Sequence, residues 1–317
     1  VRGIVTLDVP TGRIDAIQTK AVILATEGHQ GLWSKPSDGP GTGSALAISA
    51  GIDLKGMEIT SRHPLTIRDC GIHIPLDVLG SGGRIRRENG DDVGPEEVLD
   101  GEPCVLDLRH MDADAKAWFS QTSMRIMDRL GIDISKDVIP LSPGVAYTTG
   151  GAPSDAQGRV VFQGHTTEGL PAELWHTGLY AAGRSAHTGM HGSNALPGNL
   201  LLDDLVSGKA AGEHASEWVT EIKFGGDTQI EEAVKGESAR ISSIMRGDGM
   251  EVAKFHSKLT SAISSGSSDD ASLAEVRAIK DTGISLTDTS SVMNTEMVEA
   301  LRLVGLASIA EAILTSG

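Results

Sequence analysis

The sequence predicts an α/β fold interrupted by an inserted region, and three observations carry that expectation. Residues 178–212, GLYAAGRSAHTGMHGSNALPGNLLLDDLVSGKAAG, run from an apolar strand (Leu179 to Ala182) through Gly183 and a small-residue loop to a helix starting near Asn199. Ala21 to Thr26, AVILAT, is a continuous apolar run too short for a helix, as a fully buried parallel strand requires, and Glu27-Gly28 follows at its carboxyl end. Residues 57–111 then change to short apolar runs among glycines and charged turns, and beyond Gly212 the chain turns helical and charged.

Strand ends followed by small-residue loops and a helix N-terminus place backbone N–H groups beside an open crevice, where α/β folds hold phosphate-bearing or ring-shaped cofactors. A strand-loop-helix unit whose glycines only turn the chain has the same pattern. The helix from Asn199 is expected to bury Leu200, Leu201, Leu205 and Val206, with Gly208, Ala210, Ala211 and Gly212 allowing close packing.

In chain order, Ile4 to Leu7 and Ile14 to Ile17 flank a Pro10-Thr11-Gly12 turn and read as a hairpin leading into the Ala21 strand. Gly39 to Gly43 opens a small-residue helix, Ser44 to Ala50, without the Lys-Ser/Thr of a phosphate-binding P-loop. His63-Pro64 enters the inserted region and a strand from Val105 to Met111 closes it. Asp112 is expected to cap a helix to Leu130 that buries Ala117, Phe119, Met124, Ile126, Met127 and Leu130 and ends at Gly131. An extended stretch leads to Tyr147-Thr148-Thr149-Gly150-Gly151, and a strand over Arg159 to Phe162 follows a turn at 155–158. Helices are expected over Gln229 to Arg246, Met250 to Ile263, Asp270 to Lys280 and Ser291 to Thr315, as a helical cover.

Composition excludes several classes. The chain has 317 residues, enough for two ordinary domains, with 27 Lys and Arg against 43 Asp and Glu, a net charge of −16. Nucleic-acid binding is excluded because phosphate neutralisation needs a basic patch. Two cysteines, Cys70 and Cys104, encode neither a disulfide framework nor a cysteine-ligated iron–sulfur cluster, and a reducing, cytoplasmic compartment is expected. No apolar run reaches the length of a membrane span, so membrane contact would come through a partner. The chain opens with Val1 and enters a strand almost at once, which reads as a piece of a longer product.

Five segments in this order, AVILATEG (21–28), MEITSRHP (57–64), GIDISKDVIPLSPGVAYTTGG (131–151), the 178–212 stretch and VMNTEMVEAL (292–301), resemble the flavoprotein subunit of succinate dehydrogenase and fumarate reductase, with L-aspartate oxidase as a relative. The resemblance implies a split FAD-binding domain (1–56 and 147–214), a shortened capping domain (57–146) inserted in it, and a C-terminal helical region (215–317). It implies FAD held by Ala25, Thr26 and Gly28 on one side and by Gly183, Arg184, Gly198, Asn199, Leu200 and Leu201 on the other. His63 matches a histidine that binds the dicarboxylate substrate, as catalytic and substrate-binding residue, and His191 matches the histidine of the family's His-Gly-x-Asn run. An iron–sulfur subunit is the implied partner.

Departures from the family pattern are as informative. Ala146 stands where the family has a histidine, Ala195 where it has a substrate arginine, Pro75-Leu76 where it has Thr-Glu, and Arg184 where it has an FAD-contacting glutamate. The segment carrying the proton-transfer arginine is missing between Arg86 and Val105, and the first Gly-x-Gly-x-x-Gly turn is not in the chain. A dianion needs bidentate cationic partners, so ordinary succinate or fumarate turnover is expected to be impaired. A degenerate, non-catalytic homologue acting as a binding or assembly module is the competing reading. No metal site is expected: His187 and His191 share i,i+4 spacing, but Gly189 and Gly192 place them in a loop. Arg84 and Arg86 read as a solvated turn face, with substitution for the missing capping-domain arginine as the alternative.

Overall fold

The computed structural model describes residues 1–35, 38–68, 70–191, 195, 198–264 and 270–315. Gly192-Ser193-Asn194, part of the His-Gly-x-Asn run, lies outside them. Contacts divide the chain into two units, residues 1–60 with 147–317, and residues 61–146.

In the first unit a three-stranded sheet has the order Arg159–His165, Pro171–Ala181, Val22–Leu24. The first two strands pair antiparallel, whereas Leu179, Tyr180 and Ala181 run parallel to Val22, Ile23 and Leu24. The Ala21 strand is therefore not fully buried: it stands at an edge of this sheet, and Ile23 is 40% exposed while Leu24 is buried. Helices Val252–Ser264, Asp270–Thr282 and Thr295–Thr315 cover this unit, packing Phe255, Leu259, Val276, Leu303, Leu306 and Ile309 into one core with Leu24, Leu179 and Ala181. Their apolar stripes are packing surface, as periodicity predicts. Gly3–Asp8 and Arg13–Gln18 form a separate antiparallel hairpin packed on helix Thr228–Arg246.

Helix Asn199–Glu221 starts where expected but turns the other way. Leu201, Leu205 and Val206 are exposed, at 65%, 63% and 55%, and Leu200 is only half-buried. The buried face carries Ala211 and Ala215, with Ser207 and His214 bonding to the sheet: Ser207 Oγ accepts the Gly183 N–H at 2.8 Å, and His214 Nδ1 lies 2.9 Å from Tyr180 Oη. Small and hydrogen-bonding residues let the helix approach strand and loop backbone closely, which a leucine stripe would prevent. Hydrophobic periodicity therefore selected the wrong face.

The second unit is built on a five-stranded sheet, order Thr60–Ile67, Ile139–Thr148, Cys104–Asp107, Arg84–Arg87, Asp92–Val93, with Leu65, Ile67, Ile85, Leu106, Ile139 and Leu141 in its core. Asp112 caps as expected, its Oδ1 accepting the Ala115 N–H at 2.7 Å, and Gly131 closes the second helix with φ +68°. The expected single helix is broken at Phe119 into Ala113–Trp118 and Ser120–Leu130. Phe119 and Ile126 are buried, but Ala117, Met124, Met127 and Leu130 face outward. The break resets the helical phase, so one continuous wheel assigns those four residues to the wrong side.

Candidate functional site

The ends of the parallel pair are joined by a hydroxyl cluster. Ser185 Oγ accepts the Thr26 N–H at 2.9 Å and donates to Thr26 O at 3.0 Å. Thr26 Oγ1, 3.1 Å from Ser185 Oγ, in turn accepts the N–H of Gly43 at 2.8 Å, in the first turn of helix Thr42–Ser49. Gly28 is followed by His29, whose N–H is bonded to Thr148 Oγ1 at 2.8 Å. Two strand ends, a helix N-terminus and the 147–151 segment thus meet at one edge, at the carboxyl ends of a parallel pair, where open α/β sheets bind ligands. Ser185, Thr148 and Ser207 are the residues that the sequence reading missed. A single hydroxyl beside a glycine carries no periodic signal, and only the pairing of the strands brings these together.

A crevice at this edge is lined by Thr149, Gly150, Gly183, Arg184, His187, His191, Leu200 and Asp203. The expected cofactor residues Gly183, Arg184 and Leu200 line it, while Ala25, Thr26 and Gly28 lie on the adjoining strand end, and Leu201 extends to solvent. Gly198 caps helix Asn199–Glu221 with φ +83° and open space where a Cβ would sit, so glycine is required there by backbone conformation rather than by packing. Gly183, at φ +57°, is fixed by space as well, since a Cβ would strike the Asp204 carboxylate.

Among the described residues, Thr149 Oγ1 and His191 Nε2 are buried polar atoms without hydrogen-bond partners on residues that line this crevice; Gln30 Oε1, Ser44 Oγ, Trp218 Nε1 and the His29 ring nitrogens belong to residues outside its lining. His191 Nε2 is 3.3 Å from Asp203 Oδ2, close enough for an ion pair but misaligned for a hydrogen bond. Burial lowers the pKa of His29 to about 4, opposed by the Met57 backbone, and lowers that of His187, opposed by Glu58. Unpartnered buried groups are uncommon in folded proteins, and two of them on residues lining one crevice fit a hydrogen-bonding ligand such as a flavin nucleotide. No cluster of three or more metal-ligating side chains occurs among the described residues.

His63 belongs to the inserted unit. Its Nδ1 accepts the Leu65 N–H at 3.1 Å, which leaves the ring proton on Nε2, and the His73 ring lies 5.2 Å away. Burial and then the His73 charge lower its pKa to about 4. Arg84 is bonded to Asp92, and Arg86 to both Asp92 and the fully buried Asp107, so neither is free to replace a proton-transfer arginine. Arg109 makes a two-point contact with Asp107, 2.9 Å at each oxygen, and with Arg86 holds its pKa at about 2.

Fold and crevice together define a flavin-nucleotide-binding α/β protein. The FAD binding domain family matches residues 1–201, and the chain belongs to that family, with FAD as its cofactor. The fumarate reductase flavoprotein subunit of Escherichia coli K12 is 26% identical, covering 100% of this chain and 59% of its own length. That of Mycobacterium tuberculosis H37Rv is 28% identical, covering 100% and 62%. The succinate dehydrogenase flavoprotein subunit of Rickettsia bellii is 26% identical, covering 95% and 57%, so the chain spans roughly three-fifths of these relatives. The Escherichia coli alignment runs over 371 positions, and 371 less the chain's 317 leaves at least 54 with no counterpart here. In fold, the chain is similar to a quinol-fumarate reductase solved with menaquinol (TM-score 0.82, 24% identity, 99% of this chain and 61% of that one). The described residues contain no helix long and apolar enough to cross a membrane.

Proposed function

We propose that this chain is the flavin-binding portion of an FAD-dependent oxidoreductase of the succinate dehydrogenase and fumarate reductase flavoprotein type, with an altered substrate. The observation that carries the reading is the crevice beside the parallel strand ends, whose lining includes Gly183, Arg184 and two buried polar atoms without hydrogen-bond partners, Thr149 Oγ1 and His191 Nε2. When bound, FAD supplies a two-electron acceptor for a hydride from carbon. The chain's own residues hold and orient. Thr26 and Ser185 fix the two strand ends, and the N-terminus of helix Asn199–Glu221 favours negative charge.

The substrate assignment follows from charge. With alanine at 146 and 195, no side chain at either position can bind a carboxylate, and Arg84 and Arg86 are paired elsewhere. Without those cationic partners, a substrate with fewer charges than a C4 dicarboxylate is favoured. The same losses support the second reading, a flavoprotein homologue that binds FAD without turnover and serves as a binding or assembly module. Docking of an iron–sulfur subunit would bring membrane association to either.

Anaerobic mixing of the FAD-loaded chain with succinate, and of its dithionite-reduced form with fumarate, tests the reading. Loss of the oxidised flavin band with another CH–CH donor but not with succinate supports an altered oxidoreductase. Bound flavin that no donor reduces supports the non-catalytic module, and no flavin uptake contradicts both.

A further inference from the structure

Arg184 follows the parallel strand directly, in a single turn over Gly183–Ser185 whose two ends are pinned. The Gly183 N–H is bonded to Ser207, and Ser185 is bonded to Thr26. The backbone of Arg184 is thus fixed, yet this half-buried residue makes no side-chain hydrogen bond or ion pair with any described residue, in a chain where acids outnumber bases 43 to 27. It lines the crevice, where Asp203 is already within ion-pair distance of His191. Facing it, helix Asn199–Glu221 has no capping side chain and no acidic residue in its first turn. Two positive features thus share the crevice with one carboxylate, Asp203, which lies against His191.

A guanidinium that lines a crevice without a partner is free to bind an anion held there in the resting protein. Substrate is transient, and the oxidised flavin ring is neutral. The phosphates of a flavin nucleotide are anionic in both redox states, and their oxygens match the two-pronged guanidinium. We propose that Arg184 pairs with a phosphate oxygen of the bound FAD. This rests on the FAD reading above, and it exchanges the glutamate contact that the family resemblance implies for a cationic one.

Titrating the 317-residue chain with FAD and with riboflavin, following the quenching of flavin fluorescence, tests it. Arg184→Ala is expected to weaken FAD by roughly 10- to 100-fold at low salt, the scale of a charge-assisted hydrogen bond, and to leave riboflavin affinity unchanged. Arg184→Lys is expected to fall between, and the salt sensitivity of FAD binding is expected to drop in the alanine variant. Circular dichroism and melting temperature matching the unsubstituted chain exclude misfolding as the cause. Equal weakening of FAD and riboflavin would place the arginine on the ring and overturn the proposal, as would an unchanged FAD affinity. Failure of the unsubstituted chain to take up FAD removes the underlying reading and the proposal with it.

Discussion

The two units treat polar side chains in opposite ways. In the inserted unit, Asp107 is fully buried and satisfied by Arg109, Arg86 and the Arg109 N–H, while Arg84 and Arg87 are paired with Asp92 and Glu102. In the first unit, Thr149 and His191 keep buried polar atoms without hydrogen-bond partners where they line the crevice, and Arg184 makes no ion pair with any described residue. A network whose members satisfy one another serves the fold, whereas groups held in place without partners suit a ligand. The site therefore belongs to the first unit, although the more elaborate ion-pair network lies in the second.

Acid separates the two most strongly. The pKa of His29 falls from an ordinary 6.5 to about 4 on folding, so its contribution is complete above pH 6.5 and is lost as pH falls toward 4. Denaturant midpoints across that window should report a loss on the order of 3 kcal/mol, and His29→Leu should flatten it. His63 adds a smaller loss of the same sign, because it is half exposed. Asp107 behaves oppositely: with a pKa depressed from 3.8 to about 2, it stabilises above pH 4 and loses that contribution only as pH falls through 2. Asp107→Asn should cost about 2 kcal/mol at pH 7 in urea melts, limited by the exposure of Arg109. Ser185→Ala, which removes the hydroxyl joining the two strand ends, should cost about 1–2 kcal/mol and weaken FAD in the same titration that tests Arg184. Gly198→Ala should cost about 1 kcal/mol from its left-handed backbone, with no packing loss, read as a small shift in urea midpoint.

Much of the fold was legible because its signals are local. Asp112 as a cap, Gly131 as a stop, the start at Asn199 and the four C-terminal helices each depend on a few neighbouring residues. The family resemblance added FAD, which single motifs could not name. What stayed hidden depends on residues far apart in sequence. Thr26 and Ser185 are 159 positions apart, and no pattern in either segment encodes their contact. The leucines at 201 and 205 misled because amphipathic periodicity assumes that the apolar face is the buried one, and here Ser207, Ala211, His214 and Ala215 face the sheet. Arg184 was legible as a departure from the family glutamate. That it has no partner among the described residues is visible only in three dimensions.

The central claim is that the carboxyl edge of the parallel strands is a flavin site, and FAD uptake by the purified 317-residue chain tests it most directly. Stepwise addition of FAD, followed by difference absorbance in the flavin bands, should saturate at one FAD per chain with a shifted, better resolved band, and Ser185→Ala should weaken it. A flat titration at FAD concentrations far above those of the protein, with the chain folded by circular dichroism, would contradict the account.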